Sequence, residues 1–251
     1  MAACASQAFF WLDWDSTNLS APRALTLPPP ILTAMPWKLS RLYPILDVDC
    51  LRQTCDARAL TKTVCDFAME LTAAGVNVLQ YRAKNLSSRE MLAHARELRR
   101  VVPKSVTLII NDRADLCLAA GFDGVHVGQD DLSPAAVRAI LGDERRLGVS
   151  THNAQQFAAA LDSSADYLAI GPVFATASKQ NPDPEVALDG VREARRLLDA
   201  RHDPRPLVAI GGITRANAAE VFAAGADSVA VISDLLPSPR TSAEAFLRIL
   251  L

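Results

Sequence analysis

From Leu42 to the C-terminus, short runs rich in aliphatic and β-branched residues alternate with longer segments whose apolar positions recur at helical spacing. The strand-length runs are Leu42 to Val48, Val76 to Arg82, Val106 to Asp112, Gly124 to Gly128, Leu147 to Thr151, Tyr167 to Val173, Leu207 to Ile213 and Ser228 to Ser233. The intervening segments carry helix signals. Ser87-Ser88-Arg89-Glu90 has the form of a capping box, Ser133-Pro134 places proline in a first turn, and Thr241-Ser242-Ala243-Glu244 leads into a last helix. Gly75, Gly121 and Gly225 stand where helices should stop.

Strands that alternate with helices predict βα units and a parallel sheet. Eight such units over residues 38–251 predict a single (β/α)8 TIM barrel. A doubly wound sheet would alternate in the same way, but no G-x-G-x-x-G follows the first strand and the length fits eight small units. Residues 1–37 differ: Phe9-Phe10-Trp11-Leu12 runs into Asp13 and Asp15, then into Pro28-Pro29-Pro30 and Pro36. They read as a loosely ordered tail, and the broken apolar stretch without early positive charge is unlike a signal peptide. Met35 is a candidate start.

Composition narrows the function. Half of the residues are hydrophobic and the formal charge is -2, with Lys and Arg scattered along the chain, so no basic stripe for nucleic acid exists. No apolar run reaches the roughly 18 to 20 residues a membrane helix needs. Cys4, Cys50, Cys55, Cys65 and Cys117 form neither a C-x-x-C pair nor a metal-ligand spacing and read as buried free thiols of a cytoplasmic protein.

In a TIM barrel the active site lies where the strands end, which turns a list of polar residues into a test. Gln80, Arg82 and Lys84 alternate along strand two and point one way, with Tyr81 facing the helices. Asn111 and Asp112 end strand three, Asp131 follows strand four, and Ser150 and His152 end strand five. Thr176, Ser178 and Lys179 follow strand six, Gly211-Gly212 follows strand seven, and Ile232-Ser233 ends strand eight. Two carboxylates at neighbouring strand ends suggest a magnesium site, and the facing cations suggest a diphosphate. The plainer reading makes Asp112 and Asp131 helix caps and the glycine pair a tight turn. In a barrel, glycines after strand seven and a strand-eight end instead suit a phosphate. His94, His126 and His202 read as structural, while His152 at the rim could bind a ligand or move a proton.

Seven motifs in order, Gln80-Tyr-Arg-Ala-Lys84, Asn111-Asp112-Arg113, Gly124-Val-His-Val-Gly-Gln-Asp-Asp131, Gly148-Val-Ser-Thr-His152, Gly171-Pro-Val-Phe-Ala-Thr-Ala-Ser-Lys179, Ala209-Ile-Gly-Gly-Ile213 and Val229-Ala-Val-Ile-Ser233, resemble the thiamine-phosphate synthase family. The likeness runs from about Leu42 to the C-terminus. It implies condensation of 4-amino-2-methyl-5-pyrimidinylmethyl diphosphate with a thiazole phosphate, or its carboxylated form, to give thiamine phosphate and pyrophosphate. It also implies Mg²⁺ on Asp112 and Asp131. Gln80, Arg82, Lys84, Asn111, Ser150 and Lys179 would hold the pyrimidine diphosphate, with Arg82, Lys84, Ser150 and Lys179 serving catalysis. Thr176, Ser178, Gly212, Ile232 and Ser233 would hold the thiazole phosphate.

Three positions depart from the family pattern. Thr176-Ala-Ser178 replaces Thr-x-Thr, Ala187 stands where glycine is common before Leu188, and Ser233-Asp-Leu235 replaces Ser-Ala-Ile. Two rivals follow: a thiazole tautomerase that uses His152 without metal, and a thiazole-phosphate-binding protein without turnover. Residues 175–188 form a candidate lid. A homo-oligomer is compatible with the sequence, which does not fix the number of copies.

Overall fold

Each strand pairs in parallel with the next and the last pairs with the first, closing an eight-stranded barrel. The computed structural model describes residues 39–56, 58–176 and 183–249. The expected tail, the Met35 start, and Ser178 and Lys179 lie outside the described residues, as do residues 177–182 of the expected lid.

The strands are β1 (Leu42–Asp47), β2 (Val78–Arg82), β3 (Thr107–Asn111), β4 (Gly124–Val127), β5 (Arg146–Thr151), β6 (Tyr167–Ile170), β7 (Leu207–Ile210) and β8 (Ser228–Val231). All eight expected strands are present, several of them shorter. Strand β6 stops before Pro172, which has no N–H for a ladder, and β7 stops before Gly211 and Gly212, both at positive φ. Between them run α1 (Val48–Leu51), α2 (Leu60–Ala73), α3 (Ser88–Val101), α4 (Ala114–Ala120), α5 (Pro134–Leu141), α6 (Ala154–Ala160), α7 (Ala187–Ala200), α8 (Ala218–Ala223) and α9 (Pro239–Ile249). A 3-10 turn, Ser233–Leu235, follows β8.

The helix signals act as read, with one shift. The Ser87–Glu90 capping box is formed and Ser133 caps α5 with Pro134 behind it. The last helix opens at Pro239, earlier than Thr241. Gly75, Gly121 and Gly225 take left-handed φ of 95°, 68° and 110° at helix ends. Alternation along the strands separates two cores. Leu46, Leu79, Tyr81, Ile110, Val125, Val149, Leu168 and Val229 join the cluster that packs under the helices, whereas Tyr43, Ile45, Gln80, Ile109, His126, Tyr167 and Val208 are buried inside the barrel. Tyr81 faces the helices as expected, its hydroxyl 3.1 Å from His94 Nδ1 on α3. Of the cysteines expected to be buried, Cys117 is, and Cys50, Cys55 and Cys65 are only half-buried.

The end of the barrel away from the site is tied by a device used three times. Asp123, Asp166 and Asp227, before β4, β6 and β8, each accept a backbone N–H from the preceding strand: Leu108 at 2.7 Å, Leu147 at 2.7 Å and Leu207 at 2.8 Å. Each also donates its own N–H to that residue's carbonyl. An arginine from the outer layer completes each clamp, Arg99, Arg138 and Arg195 in turn. Carboxylates that gather a backbone donor and at least one charged donor fix where each strand begins, and so where its far end delivers a side chain.

Candidate active site

The strand ends surround a cavity of about 250 Å³. Gln80 and Arg82 enter it from β2 and Lys84 from just after it, Asn111 and Asp112 from the end of β3, Asp131 from the loop after β4, Ser150 from β5 and His152 from just after it. Thr176 after β6, Gly211 and Gly212 after β7, and Ile232 and Ser233 after β8 complete the wall. Every sequence-derived site residue within the described residues lines this one cavity.

Neither aspartate caps a helix. Arg113 holds the cap position of α4 without a side-chain bond, and Ser133 Oγ caps α5. Asp112 instead sits at φ 63°, the left-handed region that a non-glycine residue enters at a cost of roughly 1–2 kcal/mol. Its backbone N–H bonds the His126 carbonyl at 2.8 Å, which holds the turn and aims the carboxylate into the cavity. Asp131 Oδ2 accepts the Gly128 N–H at 2.8 Å. Burial raises the Asp112 carboxyl above its usual range, a hydrogen bond from Lys84 opposes this, and the adjoining Asp131 pushes it up again.

Both strand-two cations are already engaged. Lys84 Nζ is ion-paired with Asp112 Oδ2, and Arg82 with Asp47 Oδ2. Asp47, at the end of β1 and 1% exposed, also caps α1 by accepting the Cys50 N–H at 3.1 Å. Sequence reasoning missed it, because one aspartate after a strand reads as a cap and its arginine lies a strand away. His152 is tethered at both ring nitrogens: Nδ1 lies 2.7 Å from the Gly171 carbonyl and Nε2 3.5 Å from the Asp183 carboxylate.

On the opposite wall, Gly211 (φ 100°) and Gly212 (φ 63°) lie against the chain after β6. A Cβ on Gly211 would fall 2.5 Å from Pro172 Cα, and one on Gly212 2.5 Å from the Ala175 carbonyl oxygen, so only glycine fits. Asn217 binds back on this loop, donating to the Gly212 carbonyl at 3.1 Å and accepting from the Thr214 N–H at 2.7 Å. Asp234, one of the departures, takes both Arg215 Nε and its backbone N–H on Oδ2, at 3.0 and 2.8 Å, with Nη2 on Oδ1 at 3.0 Å. It thereby ties the turn after β8 to the loop after β7.

Residues 52–235 match the family model described as thiamine monophosphate synthase. That span is most of the barrel and includes every motif that carries the site. The chain belongs to the thiamine monophosphate synthase family. It is a transferase, as its matches to proteins named thiamine-phosphate synthase and thiamine phosphate pyrophosphorylase show. It is 57% identical over 213 residues to the thiamine-phosphate synthase of Koribacter versatilis (strain Ellin345), covering 85% of this chain and 97% of the relative. With the thiamine-phosphate synthase of Chloroflexus aurantiacus it shares 45% over 172 residues, 68% of this chain and 77% of that one. Among solved structures, thiamine phosphate pyrophosphorylase from Pyrococcus furiosus superposes with a TM-score of 0.69 at 29% identity, covering 84% and 95% of the two chains.

Proposed function

We propose that this chain is a thiamine-phosphate synthase that joins 4-amino-2-methyl-5-pyrimidinylmethyl diphosphate to 4-methyl-5-(2-phosphoethyl)thiazole, or its carboxylated form, with Mg²⁺. The observation that carries the reading is the meeting of Asp112, Asp131, Arg82 and Lys84 on one wall, opposite the glycine-lined wall of Gly211 and Gly212. One wall suits a diphosphate with its metal, the other a single phosphate.

The donor set fits magnesium. Asp112 and Asp131 offer hard oxygens close enough to perturb one another, and no larger cluster of acidic, His or Cys residues exists among the described residues. Bound there, Mg²⁺ would neutralise charge on the diphosphate oxygens.

The chain's own residues meet the demands of diphosphate departure from a benzylic-type carbon. Arg82, held straight by Asp47, and Lys84 place positive charge where the leaving oxygens gain negative charge. Lys179, carried over from the family pattern, would add a third cation. Gln80, Asn111 and Ser150 would orient the pyrimidine diphosphate. Thr176, Ser178, Gly212, Ile232 and Ser233 would hold the thiazole phosphate so that its ring nitrogen lies in line with the carbon. No general base is needed, since that nitrogen carries a free lone pair.

A tautomerase would have no diphosphate to hold and so no use for Asp131, Arg82 and Lys84 together. No helix among the described residues is long and apolar enough to cross a membrane. Asp112→Ala and Asp131→Ala test the metal assignment: each should abolish Mg²⁺-dependent turnover while the far-ultraviolet dichroism stays that of the parent. Unchanged turnover in either would remove it.

A further inference from the structure

Beneath the cavity runs a continuous chain of hydrogen bonds that crosses the barrel interior. Gln80 Nε2 donates to Tyr43 Oη at 3.0 Å, and Tyr43 Oη lies 2.8 Å from Tyr167 Oη. Tyr167 Oη is 3.0 Å from His126 Nδ1, and His126 Nε2 is 2.7 Å from Ser150 Oγ. Five strands, β2, β1, β6, β4 and β5, supply one member each. Gln80, Tyr43, Tyr167 and His126 are 2%, 1%, 0% and 7% exposed, so bulk water does not compete for these bonds.

Register explains how the two halves meet. His126, Gly148 and Tyr167 are lateral partners on β4, β5 and β6, so all three face inward at one level. A Cβ on Gly148 would fall 2.1 Å from Tyr167 Cζ and 2.4 Å from His126 Nδ1. The glycine leaves the space in which phenol and imidazole touch.

We propose that Tyr43, Tyr167 and His126 are positioning residues, forming a one-way relay from the Gln80 amide that makes the Ser150 hydroxyl a donor toward an anionic oxygen of the ligand. The polarity follows from what each group can do. An amide N–H only donates, so Tyr43 accepts from Gln80 and directs its own proton to Tyr167. Of the two hydroxyls beside His126, a phenol is a better hydrogen-bond donor than an alkyl hydroxyl, so Tyr167 donates to Nδ1. The imidazole then carries its proton on Nε2 and donates to Ser150 Oγ. With that oxygen engaged, the Ser150 proton turns to the cavity that the residue lines. In the opposite polarity Ser150 would spend its proton on His126 and present only lone pairs, which repel phosphate oxygens. The identity of the anion rests on the function proposed above; the polarity does not.

Histidine-selective ¹⁵N labelling of the ligand-free, full-length protein reads the polarity directly, with the His126 signals assigned by their loss in His126→Gln. The relay requires an unprotonated Nδ1 and a protonated Nε2; a protonated Nδ1 overturns it, whether or not the protein makes thiamine phosphate. A second measurement uses inorganic pyrophosphate with Mg²⁺ as probe. Ser150→Ala should weaken its binding about tenfold, the loss of one hydrogen bond to a charged group. Tyr167→Phe, which removes one oxygen, should weaken it to a similar extent and give His126 a mixture of tautomers. The double variant should bind no worse than Ser150→Ala alone, whereas additive losses would mean that Tyr167 does not act through Ser150.

Discussion

Lys84 Nζ and Asp112 Oδ2 are ion-paired across the ends of β2 and β3, so a cation proposed to face the diphosphate is bound to one of the two carboxylates proposed for the metal. In the proposed function a metal and an anion would separate these two partners. The Lys84 side chain is 46% exposed, so the pair itself contributes little to stability.

Lys84→Met should therefore damage turnover and spare the fold. Loss of one positive group facing the leaving diphosphate is expected to lower kcat/KM about 100-fold. The unfolding free energy should change by less than about 1 kcal/mol. Steady-state kinetics and urea unfolding check the two halves. A large loss of stability with near-normal kcat/KM would show the pair to be structural.

Ala187 predicts the opposite pattern. It opens α7 at φ 53°, a conformation that glycine adopts without penalty, and it stands where the family pattern commonly has glycine. Relief of roughly 1–2 kcal/mol of left-handed strain, less roughly 0.4–1 kcal/mol for the freer unfolded chain, leaves Ala187→Gly more stable by about 0.5–1 kcal/mol. Tm should rise by about 2 °C with the fold unchanged. A lower Tm would show that the alanine methyl makes a compensating contact.

His126 gives stability a pH dependence of known sign. Burial lowers its pKa from 6.5 to about 4. Between those values the unfolded chain binds a proton that the folded protein refuses, so the contribution is complete above pH 6.5 and is lost as pH falls toward 4. The full difference is about 3 kcal/mol at 1.36 kcal/mol per unit. Urea midpoints measured from pH 8 to 4 should fall more steeply for the parent than for His126→Gln, and parallel curves would contradict a neutral buried His126.

Much of this was legible in the sequence. Eight apolar runs with helix caps between them give the barrel, because strand and helix periods are local properties. The rule that barrel chemistry gathers at strand ends then places Arg82, Asp112 and Gly212 on one rim before any geometry is known. Partnerships between strands were not legible. Tyr43 and Tyr167 each read as one more aromatic in an apolar run, and their hydroxyls meet only after closure brings together residues 124 positions apart. His126 was read as structural for the same reason. Asp234 read only as a departure until Arg215 appeared beside it. Local pattern reports which face a side chain takes, and closure alone decides what it meets there.

Pyrophosphate release from 4-amino-2-methyl-5-pyrimidinylmethyl diphosphate, followed with and without thiazole phosphate and with and without Mg²⁺, tests the central claim most directly. Release should require all three components, and the second product should have the mass of thiamine phosphate. Release that ignores Mg²⁺ or the thiazole phosphate, or no release while the thiazole phosphate is bound or isomerised, would contradict it.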